Sequence, residues 1–208
     1  MDIHQSEEEQ IESIKKWWNE NSKSVITGLV LAAAVALGWQ SWSNSQAQKQ
    51  QAAAQNYYAM QQQDEDNKPE LTLSQGKILI ADYPDSIYAT FASLLMAKTS
   101  YQQNESENAL SHLQWVIDHS DSQPYLRLAA QRKASVLLEL ARHEDALSAL
   151  QSVITETPNA VEYELLGDIY QAMNKNSEAK ENYQNVLSLE SPNRALVQMK
   201  IEALPAEE

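Results

Sequence analysis

The apolar residues of this chain fall into two patterns. Residues 25–42 form an almost purely apolar run without a charged side chain, whereas the following residues mix apolar and polar positions at helical spacing. A long apolar run is typical of a helix that crosses a bilayer, because a helix satisfies its own backbone hydrogen bonds in hydrocarbon. Spaced apolar positions indicate amphipathic helices around a core. The pattern therefore predicts an all-α chain with a single transmembrane helix near its N-terminus.

Tryptophans bracket the apolar run. Trp17 and Trp18 precede it, and Trp39 and Trp42 lie at its end, so four of the five tryptophans of the chain are here. Indole rings concentrate at the two interfaces of a bilayer. This placement favours a membrane helix over 25–42, although the run is slightly shorter than the roughly 20 residues that a spanning helix usually needs.

Basic residues predict the orientation of that helix. Retention of Lys and Arg on the cytoplasmic side sets topology, whereas acidic residues contribute little. Three lysines precede the run and one follows it closely: Lys15, Lys16 and Lys23, then Lys49. We therefore expect a cytoplasmic N-terminal segment over 1–24 and an exported domain in a single-pass membrane protein.

Two alternatives compete with the membrane helix. A cleavable signal peptide also begins with basic residues and a short apolar core, but Trp39 and Trp42 are bulky where a peptidase needs small residues, and Ser45-Gln46-Ala47 is a weak cleavage site. A buried core helix fits poorly because the next segment is so polar.

Small residues recur along the apolar run at a spacing of four. Such rows let a second helix approach closely in lipid. The rows are Gly28, Ala32 and Ala36, and Ala34 with Gly38. They indicate either a helix-packing surface or only the general abundance of Ala and Gly in membrane helices.

Composition limits the function of the exported part. The chain has no cysteine, which excludes thiol catalysis, disulfides and cysteine metal sites, and only 4 glycines and 6 prolines in 208 residues, which favours helices throughout. Residues 43–208 hold 12 Lys and Arg against 23 Asp and Glu, a net charge of -11. Nucleic acids and anionic lipids bind basic surfaces, so we expect neither on this domain.

The exported part contains an internal repeat. The nine residues from Ala109 and the nine from Ala146 agree at seven positions, and a third copy begins at Ala179. The copies start 37 and 33 residues apart, which is the period of helical-hairpin solenoids. In the last unit the spacing of Tyr163, Leu166, Gly167 and Tyr170, then Ala179 and Tyr183, is similar to the tetratricopeptide (TPR) signature.

These repeats predict the domain organisation. Units begin near Thr90, Arg127 and Ala160, and residues 45–63 with 70–81 form a further helical pair whose spacing is too irregular for a repeat. The sequence thus predicts three units and a cap. We expect a helical stalk or cap over 43–69, a TPR-like domain over 70–204 and a disordered tail over 205–208.

Catalytic motifs are absent from the sequence. Its histidines have no metal-ligand spacing: His4, His112, His119 and His143. A Gly-rich phosphate loop, a nucleophile elbow and a zinc-protease helix are also missing. We therefore expect no enzyme, no metal, no cofactor and no small-molecule substrate.

TPR arrays bind partners on the face lined by the first helix of each unit. Counting from the three unit starts, this groove should present Phe91, Leu94, Lys98 and Tyr101, then Leu128, Gln131, Ser135 and Leu138, then Val161, Glu164 and Asp168. Six of them are large and apolar or aromatic: Phe91, Leu94, Tyr101, Leu128, Leu138 and Val161. Such a face suits an apolar or amphipathic segment of another protein. Alternatively, the cap or a C-terminal helix over 194–204 covers it.

Several features together resemble the YfgM family over essentially the whole chain. They are the acidic N-terminus with Lys-Lys-Trp-Trp-Asn-Glu-Asn at 15–21, the Gly- and Ala-containing membrane helix, the Asp-Tyr-Pro-Asp-Ser turn at 82–86, and the terminal repeats. The resemblance implies an ancillary subunit of the bacterial Sec translocon channel. It also implies a single-pass protein of the bacterial inner membrane, anchored in the lipid bilayer, whose periplasmic TPR domain associates with the membrane chaperone PpiD.

The resemblance implies a non-enzymatic adaptor that passes emerging chains to periplasmic chaperones. Two other functions stay open at this point: a holdase that binds unfolded clients directly, and a TPR scaffold for envelope or cytochrome assembly.

Overall fold

The computed structural model describes residues 3–154 and 156–205, with side chains from Glu9 onward. The described residues form helices and no strand, which confirms the all-α prediction. In chain order the helices are α1 (Ile3–Glu65), α2 (Pro69–Asp82), α3 (Ile87–Gln102), α4 (Ser106–His119), α5 (Gln123–Glu139), α6 (His143–Gln151), α7 (Ala160–Ala172), α8 (Asn176–Ser188) and α9 (Arg194–Glu202). Of the predicted tail, 206–208 lie outside the described residues.

The chain forms two compact units, residues 1–49 and 50–208. The first unit contains the apolar run, whose side chains are exposed, including Leu29 and Val35. Within the described residues, one helix is long and apolar enough to cross a membrane, and it lies near the N-terminus. The rings of Trp39 and Trp42 pack with their centroids 5.3 Å apart. Exposed apolar side chains on such a helix are what hydrocarbon solvates.

The second unit consists of helical hairpins joined by one recurring turn. In each turn the central residue has a positive φ: Asn67 (57°), Asn104 (61°), Ala141 (57°) and Asn174 (60°). The next residue donates its N–H to the carbonyl five residues earlier, as Lys68 does to Gln63 at 2.9 Å and Arg142 does to Leu137 at 2.9 Å. This is the Schellman arrangement, which satisfies carbonyls at a helix end, and Asn tolerates the left-handed conformation it needs.

The first hairpin, residues 50–65 of α1 with α2, is a full repeat and not only a cap. Its turn lies 37 residues before the next one, and Thr72, Gly76 and Leu79 are buried at the positions that Ala109, Leu113 and Val116 occupy in α4. The prediction of three units was therefore one short. A polar and a very small residue replace apolar ones here, which hides the periodicity. Gly76 leaves space for Met96, because a Cβ there would lie 2.6 Å from the Met96 sulfur.

Successive hairpins share apolar cores. Side chains of α4, α5, α6 and α7 form one cluster, with Leu137, Leu150 and Ile169 almost completely buried. Another joins α8 to α9 through Tyr183 and Val197, both fully buried. Each hairpin thus buries an apolar face against its neighbour, which is how solenoids are stabilised. The stacking places the first helices of consecutive hairpins side by side.

Candidate partner-binding groove

Polar contacts connect the first helices of neighbouring hairpins. Lys98 on α3 pairs with Asp64 on α1 at 2.9 Å, and the Tyr101 hydroxyl donates to Glu139 on α5 at 2.7 Å. Residues 50–65, α3, α5 and α7 therefore form one continuous surface, the first-helix face. The repeat pattern predicted the partner-binding groove on this face.

One end of the first-helix face carries aromatic and aliphatic side chains. Tyr57 lies 5.9 Å from Tyr88 and 5.7 Å from Phe91, and Phe91 lies edge-on to Tyr125 at 5.3 Å between ring centroids. Leu128 on α5 and Val161 on α7 continue the row in the repeat register. We name this row the apolar stripe: Tyr57, Tyr88, Phe91, Tyr125, Leu128 and Val161. Burial of Tyr57, and secondarily Asp64, raises the pKa of the Tyr57 hydroxyl.

A depression of 540 Å³ lies on this stripe between α5 and the start of α7. Its lining combines apolar side chains with hydrogen-bonding groups: Gln123, Pro124, Tyr125, Arg127, Leu128, Gln131 and Asn159. Concave sites of this mixed kind bind side chains through apolar contact and orient them through a few polar groups.

The predicted groove residues differ in exposure. Val161 is 57% exposed and Tyr101 42%, whereas Phe91 and Leu128 are half-buried and keep an open edge. Leu94 is only 8% exposed and packs with Ala97, Leu113 and Ala129. Leu138 is half-buried against the central core. Leu94 and Leu138 therefore support the wall of the groove more than they form its surface.

A buried carboxylate joins α5 to α7. Glu162 is fully buried and takes part in a bidentate pair with Arg127, whose Nε donates at 2.7 Å, while Gln131 donates to it at 3.1 Å. Glu162 also accepts from the backbone of Asn159 at 2.9 Å in a capping box. Burial by itself raises the pKa of Glu162, but these hydrogen bonds outweigh it and hold the pKa below its ordinary value.

The C-terminal helix α9 occupies the last part of the first-helix face. Lys200 pairs with Glu164 at 2.9 Å and with Asp168 at 2.7 Å, two positions predicted to face the groove. Burial lowers the pKa of Lys200, but its hydrogen bonds to the two carboxylates outweigh this and raise the pKa overall. The C-terminal helix thus engages part of the α7–α8 hairpin, while Val161 in the same helix α7 remains exposed.

Sequence patterns did not reveal the ionic contacts of Arg127 with Glu162 or of Lys200 with Glu164, because these partners lie about 35 residues apart on different helices. Asn159 and Glu162 are only three positions apart in the capping box, whereas Arg127 lies 35 residues before Glu162. Within the described residues, no group of three or more His, Asp or Glu side chains is arranged to hold a metal ion.

The small residues of the apolar run lie on an open surface. A Cβ added at Gly28 or at Gly38 would meet no neighbouring atom within 4 Å, and Ala32 and Ala36 are exposed. These four positions therefore leave room for the close approach of another helix.

Comparison with known proteins assigns the family. A tetratricopeptide repeat-like domain family matches residues 15–206. A protein of Neisseria gonorrhoeae named "Ancillary SecYEG translocon subunit" is 30% identical over 208 residues, covering 98% of this chain and 100% of that protein. The chain belongs to the YfgM family.

Further relatives extend the family comparison. A protein of Aggregatibacter actinomycetemcomitans with the same name is 31% identical over 179 residues and covers 86% of this chain and 87% of its own length. Among solved structures, MamA residues 41 to the end from Desulfovibrio magneticus RS-1 superposes with a TM-score of 0.59 at 21% identity, over 72% of this chain and 81% of that one. This likeness concerns the fold alone and agrees with the family's TPR-like architecture.

Proposed function

We propose that this protein is a membrane-anchored adaptor of the Sec translocon that receives exported chains and presents them to periplasmic chaperones, including a PpiD-like membrane chaperone. Its relatives are named ancillary SecYEG translocon subunits, which supports the translocon as its location. The observation that carries the binding role is the apolar stripe, an uncharged row of aromatic and aliphatic side chains beside a 540 Å³ depression. Such a surface recognises apolar or amphipathic segments.

The membrane anchor makes a weak contact sufficient. A helix over 25–42 with residues 1–24 in the cytoplasm would hold the domain close to the channel exit, where the effective concentration of emerging chains is high. The row of Gly28, Ala32, Ala36 and Gly38 is our candidate surface for a second membrane helix. No catalytic step or cofactor enters this function.

Site-specific photo-crosslinking in intact cells tests the proposal. A photoreactive residue at Tyr101, Leu128 or Val161 should give a discrete adduct with a membrane chaperone, and one at Ala36 an adduct with the channel or that chaperone. Lys180 on α8 is exposed and lies off the first-helix face, so it is the matched control and should give neither. A smear of many secreted proteins from the groove positions would instead identify a holdase, and adducts equal to the control would overturn the groove.

Acidic substitutions on the stripe should reduce partner capture about tenfold or more, since a charge in an apolar anchor site is poorly solvated. The variants are Leu128→Glu and Val161→Glu, and capture is measured by co-purification of the crosslinked chaperone. Val161 is 57% exposed, so its replacement tests binding without disturbing the core.

Ile78→Glu is the matched control, because Ile78 is 46% exposed and lies on α2, a second helix. Unchanged capture by Val161→Glu and Leu128→Glu, with a circular dichroism spectrum equal to wild type, would contradict the assignment of the stripe.

A further inference from the structure

A cleft of 320 Å³ opens between α3, α4 and α5. Its buried lining is apolar and consists of Ala97, Ala109, Leu113 and Val136, while the exposed residues around it are Lys98, Tyr101, Arg132, Ser135 and Glu139. The volume lies at the lower end of ligand pockets, which run from roughly 300 to 1,000 Å³. The cleft therefore fits one or two side chains of a partner better than a separate small molecule.

The repeat register explains why this cleft exists. Arg132 on α5 stands where α7 has Leu165, 33 residues later, and where α3 has Leu95, 37 residues earlier. Leu165 is 9% exposed and belongs to the central core, and Leu95 packs against the core of the first hairpins. Arg132 is exposed and lines the cleft, whose apolar lining residues are buried. An arginine at a core position thus opens the space that leucine closes elsewhere.

Arg132 also differs from the other three arginines of the chain. Arg127 pairs with Glu162, Arg142 with Glu107 and Asp145, and Arg194 donates to two backbone carbonyls. Among the residues that the structure describes, Arg132 has neither an ion pair nor a hydrogen bond.

The other charged side chains of the cleft are engaged. Lys98 pairs with Asp64, and Glu139 accepts from the Tyr101 hydroxyl. Glu139 keeps its negative charge, because a hydroxyl does not neutralise a carboxylate. Within the described part of the chain, Arg132 is therefore the cation at the cleft without an ion pair, and its guanidinium has five donors suited to a carboxylate.

The cleft adjoins the apolar stripe. Leu128 and Arg132 are four residues apart on α5, and such residues lie on one face about 6 Å apart along the axis. A segment bound at Leu128 therefore continues past Arg132 within one helical turn.

We infer that the groove selects a partner segment in which an apolar side chain, filling the cleft, is adjacent to an Asp or Glu whose carboxylate binds Arg132. This inference rests on the proposed function of the groove. Residues 43–208 carry a net charge of -11, so an acidic residue of a partner is disfavoured at most other places on the domain. At physiological ionic strength charges are screened beyond about 8 Å, so the local contact with Arg132 outweighs distant repulsion. The arginine thus fixes the register of the bound segment.

Peptide binding with a charge swap tests the inference. Fluorescent peptides with amidated ends and an identical apolar core carry Glu, Gln or Lys beside one leucine, and fluorescence polarisation reports their binding to the detergent-solubilised full chain. The Glu peptide should bind about fivefold more tightly than the Gln peptide, as expected for an ion pair at an exposed guanidinium. Arg132→Gln should abolish this preference, Arg132→Glu should reverse it in favour of the Lys peptide, and Arg132→Leu should weaken all three peptides by filling the cleft.

Arg142→Gln is the matched control and should keep the wild-type preference, because Arg142 does not line the cleft. Equal binding of the Glu and Gln peptides, or a preference that survives Arg132→Gln, would overturn the inference. The inference would also be overturned if none of the peptides bound. The same holds if a Gln peptide with a free C-terminal carboxylate bound as tightly as the amidated Glu peptide. Crosslinking from Leu128 and Val161 is independent of Arg132, so these outcomes leave the proposed function standing.

Discussion

Replacing Arg127 with methionine should lower the free energy of unfolding by about 3 kcal/mol, because it leaves the buried carboxylate of Glu162 without its cation. Glu162 is fully buried, and Gln131 and the Asn159 backbone cannot replace a bidentate guanidinium. Urea unfolding of the detergent-solubilised full chain, followed by circular dichroism, measures the change. If the detergent prevents α1 from unfolding, this helix adds only a constant contribution to the circular dichroism signal.

Two control variants separate the buried charge from ordinary packing. The double variant Arg127→Met with Glu162→Leu should recover only part of the loss. An apolar pair needs no charge compensation, but the Asn159 N–H and Gln131 lose their acceptor. Arg142→Met should change stability by less than about 1 kcal/mol, because its pairs with Glu107 and Asp145 are exposed. Equal losses of unfolding free energy for Arg127→Met and Arg142→Met would show that the burial of Glu162 causes no additional destabilisation.

The effect of Arg127→Met should depend on pH in a defined direction. In the wild type the pKa of Glu162 is below its ordinary value, so its stabilising contribution is complete above that ordinary value and is lost as the pH falls through the lowered one. In the variant the unpaired, buried carboxylate gains a raised pKa and is relieved by protonation. The stability difference between the two proteins should therefore shrink from pH 7 toward pH 4.

Replacing Tyr183 with alanine should lower the free energy of unfolding by about 3–5 kcal/mol. Its ring is completely buried between α7 and α9, and its hydroxyl bonds with Asp168 at 2.7 Å and with Gln171 at 2.9 Å. Tyr183→Phe keeps the ring and loses only the hydroxyl contacts, so it should cost about 1 kcal/mol. Urea unfolding compares the two variants, and equal losses would mean that the hydroxyl, not ring packing, carries the effect.

Gly167 supplies an independent test of the same contact. A Cβ at Gly167 would overlap the Tyr183 ring, so Gly167→Ala should destabilise the wild type by about 1–3 kcal/mol despite the better helix propensity of alanine. With Tyr183→Leu in the background, Gly167→Ala should cost much less, because the smaller side chain leaves room. Additive losses in this double-mutant cycle would contradict direct contact between the two residues.

The predictions for Arg127 and Tyr183 both concern side chains that hold the helices of the groove in place. Arg127 and Gln131 line the depression on the apolar stripe as well as binding Glu162. Tyr183 and Lys200 together hold Asp168 beneath α9. Loss of the contacts around Glu162, or of those around Asp168, would therefore loosen the helices that form the groove. We expect Arg127→Met to weaken partner capture even under conditions where the variant remains folded.

Local patterns explain why much of the architecture was predictable. The apolar run of 25–42 and the helical spacing around Ala109, Ala146 and Ala179 report on single helices and on the period of the hairpins. The first hairpin was not recognised as a repeat because Thr72 and Gly76 occupy positions at which the other repeats have apolar residues. Its turn residue Asn67, 37 residues before Asn104, is the signal that would have revealed it.

The groove was predictable only in outline. Counting from the unit starts identified the first-helix face, but Leu94 lies in the core because the neighbouring α4 and α5 cover it. Conversely, Arg132 was overlooked because a charged residue on a helix normally faces solvent. Its meaning depends on the register with Leu165, which is a relation between two helices.

Local sequence was enough to establish the helices, their pairing into hairpins and the apolar segment near the N-terminus. Those features follow from spacing, proline and turn residues, and matched repeats, so they need no knowledge of distant contacts. The folded arrangement was needed to find which apolar side chains remain open, how Arg127 reaches Glu162, where Lys200 places α9, and that a cleft lies beside Arg132. Each of these depends on side chains about 20 to 40 residues apart that meet only when hairpins stack.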